Sequence, residues 1–189
     1  MAFRAAALAG LLAIGLIGCG HKEPVLPASA VAFNNDISVY QMGPGDTLRL
    51  SLYGDPNFAG EFRVGADGNL SLPLIGATRA QGRTVEQVRQ DIQRQLADGY
   101  YKDPRVSAEI TAFRPFYILG EVQRPGAYPY VPGLTLAQAV ATAGGYSYRA
   151  STSVVAVDTP DSPKEVLVRA DQAMPIGPLF TVRILERTF

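Results

Sequence analysis

The sequence is poor in the residues that build most catalytic and metal sites. Its 189 residues include one cysteine, one histidine and no tryptophan. A single cysteine excludes a disulfide within the chain, and one cysteine with one histidine does not supply the ligand set of a structural zinc site. Basic and acidic side chains number 17 each, so the formal net charge is zero. Because no basic excess is available to displace counterions, we expect no nucleic-acid partner.

Motifs of familiar enzyme chemistry are also missing. The sequence has neither a phosphate-binding Gly-Lys-Ser/Thr loop nor a His-Glu-x-x-His zinc motif. His21 stands two residues after Cys19, in a stretch where we expect no positioned catalytic partner. Asp46, Asp67 and Glu121 fall in predicted turns and at strand ends, where carboxylates are ordinarily solvated or cap turns. We therefore expect no enzyme, no catalytic residue, no metal and no cofactor.

The first nineteen residues have the pattern of a processed export signal. Arg4 precedes fourteen uncharged residues, AAALAGLLAIGLIG, fewer than the ~20 that a membrane-spanning helix needs. The run ends in Leu16-Ile17-Gly18-Cys19, which resembles a bacterial lipobox. Residues 1–18 are thus predicted to be a lipoprotein signal peptide, and Cys19 to carry a covalent lipid such as palmitate. The alternative is an ordinary secretory signal with an incidental cysteine.

Residues 19–40 are predicted to be a tether behind that lipid. The segment contains prolines and shows no hydrophobic period, and an extended chain covers ~3.3–3.6 Å per residue. Gly20 stands where an aspartate would resemble an inner-membrane retention signal. We therefore expect the anchor to lie in the inner leaflet of the outer membrane, with the protein facing the periplasm.

Hydrophobic periodicity predicts a first α+β domain over residues 41–113. Leu48, Leu50 and Leu52 alternate with polar residues, as in a strand with one buried face. The strands GEFRV and NLSLPL flank the turn at residues 66–69, which predicts a hairpin. A capping box at Thr84 opens a helix, and a strand with Val106, Ala108 and Ile110 follows it.

A second small domain is predicted over residues 114–189. A capping box at Thr135 opens its helix, and the strands FYILGEV, SVVAVD, KEVLVRA and TVRIL surround it. Strands on both sides of single helices favour two small α+β domains over one parallel sheet. Structural turns across both domains are assigned to Gly43, Gly45, Asp46, Asp67, Gly68, Gly126, Gly144 and Gly145.

Four short motifs occur in order in the first domain. They are Gly43-Pro44-Gly45-Asp46, Asp67-Gly68, Leu72-Pro73-Leu74-Ile75-Gly76 and Asp103-Pro104-Arg105-Val106. With them the domain resembles the N-terminal domain of bacterial polysaccharide export outer-membrane proteins. The following block, YILGEVQRPGAYPYVPGLTLAQAVATAGGYSYRA, looks like the soluble-ligand-binding β-grasp domain that follows in that family.

The resemblance implies a ring-shaped homo-oligomer at the outer membrane that passes capsule or exopolysaccharide outward, together with an inner-membrane polysaccharide co-polymerase. Two departures are expected to matter. The sequence after the last strand, ERTF, leaves no ~20-residue segment for the pore-lining helix of larger relatives. The stretch PIGPLFTVRIL also replaces a more usual Pro-Gly-Asp turn. We therefore expect a short form that builds a periplasmic ring or collar.

Tyrosines and arginines of the second domain are candidates for contact with glycan. The candidates are Tyr128, Tyr130, Tyr146, Tyr148, Arg124 and Arg149. Aromatic faces stack on sugar rings, and arginines attract an acidic polymer. The same tyrosines would equally serve the β-grasp core or a subunit interface, so both interpretations stay open. The rival function is a monomeric periplasmic lipoprotein that binds a small soluble ligand through its β-grasp domain.

Overall fold

The computed structural model describes residues 24–31, 33–162 and 164–187. These residues form two hydrophobic cores, one in each half of the chain, built from both helices and strands. The predicted fold class, α+β with two small domains, is confirmed. The predicted signal peptide, the lipidation site Cys19 and His21 lie outside the described residues.

The N-terminal domain (residues 41–113) combines a three-stranded sheet, a two-stranded sheet and one helix. Its elements are β1 (Thr47–Leu52), β2 (Asp55–Arg63), β3 (Asn69–Leu72), β4 (Gly76–Arg79), α1 (Val85–Ala97) and β5 (Val106–Ala112). The larger sheet has the antiparallel order β2-β1-β5, and β3 pairs with β4. The helix packs on β5 and β4, so the core lies between α1 and the sheets.

Two sequence patterns explain this core. The alternation in β1 buries Leu48, Leu50 and Leu52, as predicted. In α1, Val88, Ile92 and Leu96 recur every four residues and are fully buried on one face of the helix. Burying each such side chain contributes about 1.5–3 kcal/mol to folding.

The predicted hairpin between GEFRV and NLSLPL is wrong, although its turn exists. Asn69 N–H donates to the Asp67 carboxylate at 3.1 Å, and Gly68 has a φ of 79°. Beyond the turn, however, β2 pairs with β1 and β3 pairs with β4. The turn therefore joins two different sheets. A turn sequence shows where the chain bends, whereas strand pairing depends on which apolar faces share a core.

The C-terminal domain (residues 114–187) is a mixed five-stranded sheet with one helix. Its elements are β6 (Phe116–Gly120), β7 (Gly126–Tyr128), α2 (Leu136–Thr142), β8 (Ala150–Asp158), β9 (Val166–Arg169) and β10 (Thr181–Glu186). The sheet order is β7-β6-β10-β8-β9, in which only the β6–β10 pair is parallel. The first and last strands of the domain, β6 and β10, lie side by side in the sheet. This arrangement is typical of the β-grasp fold, which we predicted for this domain.

The segment before the N-terminal domain is packed against both domains from Leu26 onward. Leu26 extends the C-terminal sheet beyond β9: its N–H donates to Leu167 O and its carbonyl accepts from Arg169 N, each at 2.8 Å. A short 3-10 helix, Ala28–Val31, then places Val31 in the C-terminal core. Within the described residues, the predicted tether is therefore part of the folded protein. The composition of the segment did not predict this packing. Backbone hydrogen bonds, which any side chain would permit, hold Leu26 in place.

The α1 cap offers a direct test of local stability. Thr84 accepts from Gln87 N–H, and the Gln87 side chain accepts from Thr84 N–H at 3.0 Å. We expect Thr84→Ala to lower the free energy of unfolding by about 1 kcal/mol because the Gln87 amide loses its acceptor. Urea denaturation followed by circular dichroism measures this loss. Thr84→Ser keeps the hydroxyl and should stay within error of the parent protein; equal losses in both variants would contradict the capping role.

Candidate functional site

Two loops of the C-terminal domain pair side by side and carry most of the candidate residues. The first joins β6 to β7 (residues 121–125), and the second follows α2 (residues 143–149). Arg124 N–H donates to Ala143 O at 2.9 Å, Gln123 N–H to Gly145 O at 3.1 Å, and Ser147 N–H to Glu121 O at 3.0 Å. We call these segments the paired loops. These backbone hydrogen bonds hold the two loops together. Side chains that are distant in the sequence therefore lie on one common surface.

Glycines shape the paired loops at two points. Gly144 and Gly145 leave α2 with φ values of 86° and 92°, a conformation that few other residues adopt at low cost. A Cβ on Gly144 would also lie 3.0 Å from the Gln123 Cβ, so the close approach of the two loops favours a glycine.

The turn that we predicted at Gly126 is wrong. Gly126 lies in β7 with an ordinary φ, and a Cβ there would make a normal 3.9 Å contact with the Tyr128 ring.

The four candidate tyrosines lie in different environments. Tyr130 is only 5% exposed and belongs to the core, so it offers no surface to a glycan. Tyr128 stacks on Phe116 with ring centroids 5.9 Å apart, and its hydroxyl donates to Arg124 O at 2.6 Å. Tyr146 is half-buried, and burial raises its pKa. Tyr148 is 86% exposed and is the candidate tyrosine with a free ring face.

The two candidate arginines are exposed and differ in their partners. Arg124 donates to Thr142 O at 3.2 Å, which links the paired loops to the end of α2. Arg149 forms an ion pair with Glu186, which raises the pKa of Arg149. The structure thus brings Arg124, Tyr128, Tyr146, Tyr148 and Arg149 to one region, which we call the tyrosine–arginine surface. Its exposed groups, chiefly Tyr148 and Arg124, suit weak stacking and charge contacts better than a closed binding site.

A second cluster, at the junction of the two domains, was not predicted from the sequence. Asp46 is fully buried and accepts from Tyr40 Oη at 2.9 Å, from Gly43 N–H at 2.8 Å and from Arg114 N–H at 2.9 Å. The Arg114 guanidinium lies 3.5 Å from the carboxylate and also donates to Tyr40 Oη at 3.0 Å. Of the two roles expected for Asp46, solvation or turn capping, the structure shows turn capping at Gly43, with the carboxylate fully buried.

Aromatic rings continue the junction cluster into both cores. The Phe113 ring lies 5.2 Å from that of Tyr40 and 5.5 Å from that of Tyr130, edge to face in both cases. Phe33 contacts Tyr130 and Phe180 in the same manner, at 6.2 and 5.8 Å. Such pairs contribute about 0.5–1.5 kcal/mol each beyond the area that they bury. The junction is thus a packed, hydrogen-bonded joint between the domains.

Titration of Tyr40 gives a pH-dependent prediction for this joint. Burial, followed by the negative charge of Asp46, raises the pKa of Tyr40 above its ordinary value of 10.0. An unfolded chain ionises this phenol near pH 10, so the stabilisation is complete below that pH and is lost as the pH rises above it. We expect the free energy of unfolding to fall more steeply between about pH 9 and 11 in the parent protein than in Tyr40→Phe. Urea denaturation across this range measures both slopes, and parallel slopes would contradict the prediction.

Other carboxylates are engaged in local structure. Glu121 accepts from Ser147 Oγ at 2.5 Å within the paired loops, and Asp67 caps its own turn. In the described part of the chain, no three side chains of His, Cys, Asp or Glu cluster as metal ligands would. Over the same residues, neither α-helix is long and apolar enough to cross a bilayer.

The profile of the polysaccharide biosynthesis/export protein family matches residues 34–111, and that of the SLBB domain matches residues 115–164. These ranges fall on the N-terminal domain, called the export domain below, and on the first part of the C-terminal domain. The order of the two matches is the order that the motifs predicted.

Three curated relatives show the extent of the similarity. Exopolysaccharide production protein ExoF of Rhizobium meliloti (strain 1021) is 43% identical over 89 residues, 46% of this chain and 21% of ExoF. Polysialic acid transport protein KpsD of Escherichia coli is 29% identical over 119 residues, 62% of this chain and 21% of KpsD. EPS I polysaccharide export outer membrane protein EpsA of Ralstonia nicotianae (strain ATCC BAA-1114 / GMI1000) is 33% identical over 136 residues, 70% of this chain and 32% of EpsA.

The chain spans about a fifth to a third of the length of these relatives. Both of its domains nevertheless match in order, and each coincides with one folded unit of the structure. The chain thus carries, in order, a domain of the polysaccharide biosynthesis/export protein family and an SLBB domain.

Proposed function

We propose that the protein is an outer-membrane lipoprotein that assembles with copies of itself into a periplasmic ring. The ring guides capsule or exopolysaccharide from an inner-membrane co-polymerase towards the cell surface, without catalysis. The observation that carries the proposal is the ordered match of both domains to the export family. Relatives named for exopolysaccharide production, polysialic acid transport and polysaccharide export outer membrane function support it.

The lipobox at Cys19 supports the membrane location in this proposal. Acyl chains on this residue would hold the protein at the inner leaflet, since each buried CH₂ contributes ~0.8 kcal/mol. Exposed sheet edges support self-assembly: β2 is an outer strand of its sheet, and unpaired strand edges readily pair with other chains. The tyrosine–arginine surface supports guidance of a polymer, because export requires weak, repeated contacts that never stall the chain.

Two measurements test this function. Deletion of the gene should abolish surface polysaccharide while intracellular polymer synthesis continues, and expression of the intact protein should restore it. The native mass of the protein extracted from outer membranes in mild detergent should correspond to one discrete, high-order oligomer. Unchanged secretion after deletion contradicts the export role. A monomer, even with the co-polymerase added, contradicts the ring.

Polymer contact is tested at the most exposed tyrosine of the tyrosine–arginine surface. We expect Tyr148→Ala to reduce secreted polysaccharide severalfold because an 86% exposed ring is lost from that surface. Its thermal unfolding midpoint should not change, since surface side chains of this kind contribute little to stability. Tyr100→Ala, which removes a half-exposed tyrosine of the export domain, is the matched control and should leave secretion intact. Equal secretion by the Tyr148 variant and the parent protein would remove this residue from the proposal.

The second candidate function is binding of a small soluble ligand by a monomer. The observation in its favour is a cleft of about 560 Å³ beside the domain junction, with Phe33, Tyr40, Arg114 and Phe180 among its lining residues. A volume of this size fits a small organic molecule. Saturable binding of one defined compound by a stable monomer, with unchanged polysaccharide secretion after deletion, would favour this function over export.

A further inference from the structure

The docked N-terminal segment restricts where the lipid anchor can lie. Leu26 is fixed to the outer edge of β9 by two backbone hydrogen bonds of 2.8 Å. Val31, a few residues later, is buried in the C-terminal core. The chain that leads back to Cys19 therefore departs from one defined place, the β9 edge of the C-terminal sheet.

The connection between that edge and the anchor is short. Only residues 20–23 separate Cys19 from Pro24, the first described residue. At ~3.3–3.6 Å per residue, this stretch reaches at most ~18 Å even when fully extended. If Cys19 is acylated, as the proposed function holds, Pro24 lies within that distance of the bilayer surface, and Leu26 at the β9 edge, two residues further on, lies within ~25 Å of it. The inference below rests on that part of the proposed function.

The surface around the β9 edge has the chemistry of a bilayer contact. Val25 is 48% exposed, Pro27 is exposed beside it, and a groove of about 590 Å³ separates them from Arg169 and Gln172. The Arg169 guanidinium has no ion-pair partner among the described residues. Apolar side chains next to a free cation suit the boundary between acyl chains and phosphate groups. The one acid of this lining, Asp171, is exposed and accepts from Ala173 N–H at 2.9 Å.

We propose that the β9 edge, with the docked segment, lies against the phospholipid headgroups of the leaflet that holds the anchor. The opposite edge of the sheet, β7, then points away from the membrane. Four strand spacings separate β7 from β9, which corresponds to ~19 Å at 4.7–4.9 Å per strand. Tyr128, on β7, is thereby held on the side of the domain that faces the periplasmic interior.

The test compares two reporters within the one domain. The full acylated protein is prepared with Gln172→Cys beside the groove or Ala127→Cys on β7; both positions are exposed. Because acylation consumes the thiol of Cys19, the introduced cysteine is the only one that a fluorophore labels. The proteins are inserted into phosphatidylethanolamine–phosphatidylglycerol liposomes that contain lipids with a spin-labelled headgroup as quencher. We expect the label at position 172 to lose most of its fluorescence and the label at position 127 to lose little.

A variant with a longer link tests whether the lipid anchor is what holds the β9 edge close to the bilayer. A flexible Gly/Ser insertion of 16 residues between Lys22 and Glu23 adds ~20–24 Å of mean reach. It precedes the first described residue, and we expect it to reduce quenching at position 172. Mass spectrometry of the intact protein reports acylation independently. Acylated protein with equal quenching at both positions overturns this inference alone, whereas absence of acylation overturns it together with the proposed anchor.

Discussion

Replacing Asp46 with alanine is expected to lower the free energy of unfolding by about 3–5 kcal/mol, the range for breaking one side of a buried ion pair. The carboxylate is fully buried and is the acceptor for Tyr40 Oη and for the N–H groups of Gly43 and Arg114. Without it, these donors are desolvated with no partner, and the largely buried Arg114 guanidinium loses its counter-charge. Chemical denaturation of the protein without residues 1–19 measures the loss.

Two further variants test whether the loss of stability in Asp46→Ala comes from the buried cluster. Asp67→Asn changes an exposed turn carboxylate of the same domain and should leave the denaturation midpoint nearly unchanged. Adding Arg114→Ala to Asp46→Ala should cost less than the sum of the two single losses, because the second change removes the charge that the first left unpaired. Strict additivity, or a loss below about 1 kcal/mol for Asp46→Ala, would show that the buried cluster does not hold the domains together.

Gly120→Ala is expected to cost more than about 4 kcal/mol, which is exceptional for one added methyl group. Gly120 ends β6 with a φ of 78°, and a Cβ there would lie 2.1 Å from the carbonyl oxygen of Ile184 on the neighbouring strand β10. Glu121 N–H donates to that same oxygen at 3.0 Å. The central parallel pair of the β-grasp sheet would have to separate to admit the methyl group.

Gly133→Ala is the matched control for backbone strain. Gly133 has a similar φ of 83°, but a Cβ at this position would meet no atom within 4 Å. The control should therefore show only the cost of the left-handed conformation, about 1–2 kcal/mol. Thermal unfolding of the two variants under identical conditions measures the difference. Equal losses would mean that β10 moves aside easily and that the contact with Ile184 is not restrictive.

The sequence predicted those features that depend on neighbouring residues. Both capping boxes, at Thr84 and Thr135, open helices, and the apolar spacing in each helix marks its buried face. The glycines after α2 adopt the left-handed conformation that their position suggested. Each of these signals is contained within a few residues, so no knowledge of the tertiary structure was needed.

Features that depend on distant partners could not be predicted in this way. The buried state of Asp46 requires Arg114, which is 68 residues away. The short strands β4 and β7 lie in stretches rich in proline and glycine, and only pairing with β3 and β6 identifies them as strands. Leu26 binds the edge of β9 through its backbone, and no pattern of side chains in the sequence predicts such pairing. The tyrosine–arginine surface was predicted as a set of residues, but the burial of Tyr130 became evident only from the packing of Phe33 and Phe113.

The docking of Leu26 beside β9 also has a consequence for the order of folding. If the chain enters the periplasm from its N-terminus, as the proposed function requires, the export domain has all of its strands before β8, β9 and β10 have emerged. Leu26 and Val31 belong to the C-terminal core yet must wait for the last part of the chain. Closing so long a loop is slow relative to local folding. The docked segment at Leu26 is therefore the part of the protein that reaches its native position last.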